Sequence, residues 1–172
     1  MTTARPATPT ASPAGGCPTV VPGPVPFAAT TSPSSRPATG GPLGVRGATT
    51  GVHPGYDRVV ITLAGRAAGT PGWRVAYVAR PTSDASGRPV AVRGASFLQV
   101  TVTGVGYPQD TGVPGPAVTR LTPRCTRVVR QVVLDGVFEG SYTAFVGLSR
   151  VRPFRVFGLA HPARVVVDVR HG

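Results

Sequence analysis

The feature that most constrains the fold is a two-residue periodicity of apolar side chains, repeated in short runs from Leu43 onward. In Tyr56–Leu63 the odd-numbered positions from 59 are apolar, and Phe97–Thr103 alternates apolar with polar residues. Such alternation predicts strands with one buried face. The chain also has no lysine, one glutamate and one methionine, and is therefore short of helix formers. We expect an all-β fold.

The turn signals between the runs indicate how the strands connect. Further strands are predicted at Trp73–Val78, Arg127–Leu134, Ser141–Leu148, Phe154–Leu159 and Arg164–Val169, with turns at Asp135-Gly136, Glu139-Gly140, Arg152-Pro153 and His161-Pro162. Short strands starting about every 10 to 14 residues favour an antiparallel sandwich or barrel. The first and last of these strands share the pattern Arg-Val-Val and could be neighbours; the alternative is that a common strand pattern recurs by chance.

Composition divides the chain near residue 42. Of residues 1–42, 34 are Pro, Thr, Ala, Gly or Ser, and ten of the 20 prolines lie there without any acid. Such a segment buries too little apolar surface to offset its ordering entropy. We expect a largely disordered tether at 1–42 and a folded domain at 43–172. Within the tether, Val20, Val21, Val25 and Phe27 are expected to lie against the folded part.

The sequence gives little sign of a membrane segment. Pro13–Cys17 resembles the cleavage site of a bacterial lipoprotein, yet no apolar stretch precedes it. A spanning helix would need about 20 apolar residues, and these 172 residues contain no such run. We therefore expect no transmembrane segment in this sequence.

Two cysteines, Cys17 and Cys125, are present. In an oxidising compartment they could pair and fasten the tether to the domain, closing a loop of more than a hundred residues. The alternative is two free thiols. The sequence leaves this choice open.

The formal net charge is +12, and all 18 basic residues are arginine. GC-rich codons account for arginine in place of lysine, but not for the presence of only six acids. Guanidinium groups bind phosphate and carboxylate bidentately, so a basic face suits an anionic polymer. The alternative is an ordinary solvated charged face. The candidate binding residues are Tyr107, Arg120, Arg124, Arg127, Arg130, Arg150, Arg152 and Arg155.

Nucleic acid is a poor fit as a partner. The chain has only 11 aromatic residues, several of them on predicted core faces, and the sequence indicates no surface on which bases could stack.

Residues 104–124 form a long stretch with four prolines. Tyr107, Gln109, Asp110, Arg120 and Arg124 could form a polar contact surface there, and the alternative is a plain crossover between two sheets.

Catalytic motifs are missing from the sequence. No nucleophile elbow, phosphate loop or zinc-binding spacing occurs, so we expect no enzyme activity, no metal and no cofactor. A loose hydrolytic site from His53, Asp57 and Asp168 is conceivable if the end strands pair. The alternative is that His53 and His161 are turn residues beside prolines.

Five motifs in order resemble one family: His53–Leu63 (HPGYDRVVITL), Pro71–Val78 (PGWRVAYV), Asp135–Gly140 (DGVFEG), Pro153–Val156 (PFRV) and Pro162–Val169 (PARVVVDV). Together they resemble the AMIN-like domain family of secreted proteins and lipoproteins from high-GC Gram-positive bacteria. The resemblance implies a β-sandwich related to the AMIN module, the non-catalytic part that targets cell-wall amidases to peptidoglycan or the division site. It brings no catalytic residues and implies an extracytoplasmic or envelope location.

The leading hypothesis is a non-enzymatic envelope module that binds cell-wall polymer, or another anionic envelope component, through its arginines and the long loop. An alternative is a protein interaction module that uses a sheet edge to bind an envelope protein. The third is a hydrolase built on His53 and Asp57. The sequence does not indicate the oligomeric state.

Overall fold

The computed structural model describes residues 17–20, 25 and 27–172. The lipoprotein-like residues 13–16 and Val21 lie outside these described residues. The strands are β1 (Ser34–Arg36), β2 (Thr39–Gly40), β3 (Gly44–His53), β4 (Tyr56–Ala64), β5 (Gly69–Thr70), β6 (Gly72–Val78), β7 (Ser96–Thr103), β8 (Arg120–Leu121), β9 (Val129–Phe138), β10 (Ser141–Leu148), β11 (Phe154–Leu159) and β12 (Arg164–Arg170). One short helix, α1 (Pro108–Thr111), lies between β7 and β8.

The strands form two antiparallel sheets and a small ribbon. The six-stranded sheet has the order β1-β6-β7-β10-β9-β8, the four-stranded sheet has the order β11-β12-β4-β3, and β2 pairs with β5. The two large sheets share one apolar core. The predicted all-β antiparallel sandwich is confirmed. In the described part of the chain, no helix is long and apolar enough to cross a bilayer.

The core forms where the alternation predicted it. Val59, Ile61 and Leu63 of β4 are fully buried, as are the alternate valines of β12 and the apolar positions of β7. Strands β4 and β12 are antiparallel neighbours, with Val59 opposite Val167. The pairing that the likeness of the end strands left open is therefore confirmed.

Three bulges carry charged residues and explain where the simple alternation fails. Arg46 of β3, Arg130 of β9 and Asp135 of β9 have no direct partner, because the register shifts at each of them. An unpaired bulge residue lets a strand continue while a charged side chain turns outward. The predicted turn at Asp135-Gly136 is consequently wrong: β9 continues to Phe138, and the turn lies at Glu139-Gly140.

Strand β3 was not predicted, because glycine and threonine obscure its alternation. Beyond the sandwich core, residues 79–95 form a loop over the outer face of the six-stranded sheet. Phe145 faces this loop and is fully buried. Gly147 has no space for a Cβ, because the main chain of Arg93 lies directly against it.

The domain begins earlier than the predicted boundary at residue 43. Thr30 forms a β-bridge with Phe154, β1 pairs with β6, and β2 pairs with β5. Residues 30–40, which the sequence places in the tether, thus contain one isolated bridge and two short strands that pair with the domain. Proline and threonine are compatible with edge strands, where one side of the backbone has no ladder to complete.

Cys17 and Cys125 are joined by a disulfide, with their Cα atoms 5.2 Å apart. The bond links residues 108 positions apart and fastens the N-terminal segment beside the start of β9. Arg127 supports this contact by donating a hydrogen bond from Nη2 to the carbonyl of Val20, at 3.4 Å.

Asp57 joins the two sheets through one buried carboxylate. It lies near the start of β4 and is fully buried. Its oxygens accept hydrogen bonds from the backbone N–H groups of Arg127, Val128 and Val129 at 3.1, 2.6 and 2.9 Å. His171 Nε2 lies 2.8 Å from the same carboxylate. Asp57 therefore pairs the backbone groups that lead into β9, which no strand partner satisfies.

We predict that Asp57→Ala destabilises the domain strongly. Removing the carboxylate leaves buried N–H groups without an acceptor, which we expect to lower the free energy of unfolding by about 3 kcal/mol. Urea denaturation followed by tryptophan fluorescence measures the loss. Asp84→Ala is the control, since Asp84 is exposed and accepts one hydrogen bond, from Thr143. Equal effects of the two substitutions would contradict the role given to Asp57.

A second prediction concerns the disulfide. Iodoacetamide added to the denatured, unreduced protein should leave its mass unchanged, whereas prior reduction should allow two adducts. Reduction should also destabilise the fold by up to about 4 kcal/mol, because the closed loop is long. Two adducts on unreduced protein prepared under oxidising conditions would show that the bond does not form.

Candidate functional site

Four of the predicted arginines lie on segments that meet at one end of the sandwich. Their exposed side chains, Arg124, Arg127, Arg130 and Arg150, define what we call the basic end. Leu148 at the end of β10 pairs with Val129 at the start of β9, and Ser149 N–H donates to the Val128 carbonyl at 2.9 Å. The segments before β9 and after β10 are therefore adjacent.

The four-stranded sheet extends this end with further arginines. Asp57 of β4 contacts the backbone at 127–129, and Arg170 N–H at the end of β12 donates to the Pro153 carbonyl at 3.0 Å. These contacts bring the start of β4, the end of β12 and the start of β11 to the basic end. The outer face of this sheet carries Arg58, Arg155 and Arg170 there. Of these three, only Arg155 was a predicted site residue.

Asp168 organises the outer face of the four-stranded sheet. It is fully buried and lies directly between Arg155 of β11 and Arg58 of β4. Arg58 binds it bidentately, with Nε 2.7 Å from Oδ1 and Nη2 2.9 Å from Oδ2. Arg155 donates a hydrogen bond from Nε to Oδ2 of Asp168 at 2.9 Å, and its Nη2 lies 2.8 Å from the same oxygen. One carboxylate thus fixes two guanidinium groups.

Aromatic rings hold the same arginines in place. The guanidinium carbon of Arg155 lies 3.7 Å from the Phe27 ring centroid and 4.8 Å from that of Phe157. Arg58 lies 5.4 Å from the Tyr56 ring and 5.5 Å from the Phe157 ring. Such contacts are favourable cation–π geometries. We call Phe27, Tyr56, Phe157, Arg58, Arg155 and Arg170, grouped around Asp168, the outer-face cluster.

The N-terminal segment contributes one ring to this cluster. Phe27 packs edge-on against Tyr56 with centroids 5.2 Å apart, and its carbonyl accepts a hydrogen bond from Arg170 Nη2 at 2.6 Å. The expected contact of Phe27 with the folded domain is therefore present. His53 also stacks on Tyr56, with ring centroids 4.9 Å apart.

The cluster retains a net positive charge. Three arginines surround a single acid, and the side chains of Arg58 and Arg155 are 25% and 32% exposed. The hydrogen bond to Asp168 raises the pKa of Arg58 above its already high usual value, against the opposing effect of burial. Arg58 is therefore charged over the whole working pH range and can hold an anion beside Asp168.

Two predicted site residues, Tyr107 and Arg120, lie apart from this arrangement, and Arg152 lies at the basic end, between Arg150 and Pro153, with a half-buried side chain. Tyr107 precedes α1 at the opposite end, where Gly106 N–H donates to the Leu43 carbonyl. Arg120 lies on β8 and donates to the Ala91 carbonyl at 2.7 Å. The backbone of Arg152 exchanges hydrogen bonds with the Tyr77 hydroxyl at 2.6 and 2.8 Å, and burial raises the pKa of Tyr77. The sequence-derived set does not form a single face.

The proposed contact surface at residues 104–124 is also divided. Gln109 and Asp110 lie in α1 beside the start of β3, whereas Arg124 lies at the basic end next to the disulfide. The segment carries the chain from β7 to the edge of the six-stranded sheet and contributes β8 there. Its two ends therefore face different parts of the molecule.

The strand register separates the three residues of the conceivable hydrolase. Asp57 faces the core, opposite Val169, whereas His53 and Asp168 lie on the outer face. Asp57 is occupied by backbone groups and His171, and Asp168 is occupied by two arginines. Five clefts of about 180 to 390 Å³ in the described part are lined by other residues. The proposed catalytic group is not assembled.

In the part of the chain that the structure describes, no group of three or more His, Cys, Asp or Glu side chains lies close enough together to hold a metal ion.

The outer-face cluster is not predicted from the sequence. The sequence does contain a sign of this cluster, the patterns Tyr-x-Arg at 56–58 and Arg-x-Phe at 155–157, whose named residues lie two apart and share one face of a strand. Recognising it required knowing that β4, β12 and β11 are consecutive in the sheet.

Comparison with known proteins agrees with the fold and with the resemblance noted from the sequence. The family model described as "AMIN-like domain" matches residues 43–171. No curated protein and no solved structure matches the chain. The matched region contains every strand from β3 to β12, and the chain therefore belongs to the AMIN-like domain family.

Proposed function

We propose that this protein is a non-catalytic binding module that holds an anionic polymer of the cell envelope at its basic end and outer-face cluster. AMIN-like domains are typically non-catalytic binding modules associated with the envelope. Polymers that fit are cell-wall glycans with carboxylate or phosphate groups, since arginine binds both bidentately.

The observation that carries this proposal is that four exposed arginines meet at the basic end and no exposed acid of the described residues lies among them, although other exposed arginines lie elsewhere on the domain. The basic end carries exposed arginines, whereas the accessible acids lie elsewhere. Glu139 lies in the turn at the opposite end, Asp110 in α1, Asp135 in a bulge of β9, and Asp84 beside Thr143. Such an arrangement gives one end a positive potential that attracts a polyanion.

The outer-face cluster supplies a surface suited to sugar rings with charged substituents. Tyr56 and Phe157 offer partly exposed apolar rings, and Arg58 and Arg155 lie beside them in fixed orientations. Because Asp168 and the rings already hold the guanidinium groups, binding an anion costs little additional side-chain entropy. A glycan could stack on the rings while its acidic groups contact the arginines.

An extracytoplasmic location is part of the proposal. The disulfide between Cys17 and Cys125 suits an oxidising compartment. Phe27 itself is held in the outer-face cluster by Arg155 and Arg170, and Thr30 pairs with Phe154 beside it.

We predict that neutralising the basic end weakens binding to cell walls. The variant Arg124→Gln/Arg127→Gln/Arg130→Gln/Arg150→Gln should raise the apparent Kd for purified cell walls about tenfold or more, because four surface charges each contribute a few tenths of a kcal/mol. Co-sedimentation at increasing NaCl concentrations measures the effect. The variant should also show a weaker dependence on salt.

The matched control replaces four exposed arginines outside the basic end: Arg36→Gln/Arg46→Gln/Arg66→Gln/Arg74→Gln. Both variants carry the same net charge, four below the parent. If both lose affinity equally, binding depends on overall charge and the basic end is not a site. If the parent does not sediment with cell walls at low salt, the proposed function is wrong.

A separate prediction addresses the aromatic rings. Phe157→Ala should weaken cell-wall binding about threefold to tenfold while leaving the salt dependence unchanged, because it removes apolar contact and no charge. Leu159→Ala, at the far end of the same strand and face, is the control. A Phe157→Ala variant that folds and binds as tightly as the parent would exclude the outer-face cluster from the site.

A further inference from the structure

Strand β3 is a long sheet edge with unpaired backbone. It pairs with β4 on one side and ends the four-stranded sheet on the other. Its first residues are covered, since Leu43 bridges to Val105 and Gly44 packs against Val113. From position 46 to 53, no described residue pairs with the outer side of the strand.

The turn at Pro54-Gly55 identifies the free backbone groups. In a two-residue hairpin the closing residues, here His53 and Tyr56, exchange hydrogen bonds, and every second pair repeats this. Gly51 and Thr49 therefore direct their N–H and C=O groups to β4. The groups that face outward are those of Ala48, Thr50 and Val52.

This edge has little of the protection usual for sheet edges. Natural edges are protected by charges, prolines, bulges or covering loops. Strand β3 has a bulge and one arginine at position 46, but residues 48–52 (Ala-Thr-Thr-Gly-Val) are small or uncharged. They can accept another extended chain by β-addition.

The row of residues across the outer face indicates which chain would fit. Arg155, Asp168, Arg58 and Gly51 lie side by side on β11, β12, β4 and β3. The charges alternate along the row until Gly51, which leaves a gap beside Arg58. Arg58 Nη1 has no partner among the described residues. His53 borders this gap, since its Nε2 lies 3.5 Å from the place of a Cβ on Gly51, an ordinary van der Waals distance.

We propose that the free edge of β3 binds an extended segment of another polypeptide that carries an acidic residue opposite Gly51. A residue opposite Gly51 would lie on the outer face, roughly 10 Å from Arg58 across two strand spacings. The carboxylate could reach Arg58 over the glycine and continue the alternation of charge. Backbone hydrogen bonds would supply affinity, and this ion pair would supply register.

A second copy of this chain is a poorer occupant. Antiparallel self-pairing about Gly51 would bring glycine opposite glycine and leave both Arg58 gaps unfilled. It would also bring together two chains of formal charge +12. A segment with an acidic residue would place a carboxylate beside Arg58, and it would not bring two positively charged chains together.

Synthetic nine-residue peptides test the proposal directly. The probe alternates threonine and valine around a central glutamate, and companion peptides have glutamine or lysine at the centre. Fluorescence anisotropy should show the glutamate peptide binding about tenfold more tightly than the glutamine peptide. The lysine peptide should bind more weakly still. Equal affinities for the three peptides would overturn the proposal.

Two variants locate the site. Thr50→Pro removes an outward N–H, which an edge strand tolerates, and should abolish peptide binding, whereas Thr50→Val retains the N–H and should bind normally. Hydrogen exchange of the unmodified protein gives an answer even if Thr50→Pro fails to fold. The glutamate peptide should protect the amides of Ala48, Thr50 and Val52, and protection at another sheet edge would refute the assignment.

Sedimentation velocity decides between the occupants. A dimer of the parent that disappears in Thr50→Pro would mean that a second copy occupies this edge, against the proposal. Arg58 belongs to both proposed sites, but the peptide assay is independent of cell-wall binding because the peptides carry no glycan and Thr50 lies outside the basic end and the outer-face cluster. Either proposal can therefore fail without the other.

Discussion

The interaction on which the structure most depends is the hydrogen bonding of Asp57 to the backbone at the start of β9. Apolar contact between two sheets supplies no hydrogen-bond partners for buried backbone N–H groups that lie where a strand begins. Here a carboxylate from β4 crosses between the sheets and accepts three N–H groups. The position of Cys125 and of the arginines around it follows, because residues 124–128 lead directly into β9 and Arg130 lies at its start. The basic end is therefore built on a buried acid.

The two buried acids have different roles, since one stabilises the fold and the other orders charged side chains at the surface. Asp57 and Asp168 lie on neighbouring strands, one register step apart, yet face opposite sides of the four-stranded sheet. Asp57 satisfies backbone groups inside, while Asp168 orders arginines outside. Because two of only six acids are used in this way, the excess of arginine remains largely uncompensated at the surface. The scarcity of acids thus has a structural counterpart in a basic end that has no exposed acid among the described residues.

The N-terminal region shows how composition and structure can disagree. A segment rich in proline and threonine predicts disorder because it cannot bury its own apolar surface. The folded domain supplies that surface: β6 pairs with Ser34–Arg36, and the arginines of β11 and β12 contact Phe27. Residues on the N-terminal side of the family match therefore extend one edge of each large sheet, at β6 and at β11, and add Phe27 to the outer-face cluster. Ordering entropy is offset by a partner that the segment alone does not contain.

The sequence by itself determined the strand class and the inward residues of β4, β7 and β12, because these follow from local alternation, which depends only on neighbouring positions in the chain. Its ordered motifs also indicated the family, whereas the likeness of the end strands left their pairing open. The tertiary structure decided what each charged residue does. Whether Asp168 is an active-site acid or a clamp for two arginines depends on which strands flank β12 and in what register. A shift of one residue would move every side chain to the other face, so the site exists only once the sheet is assembled.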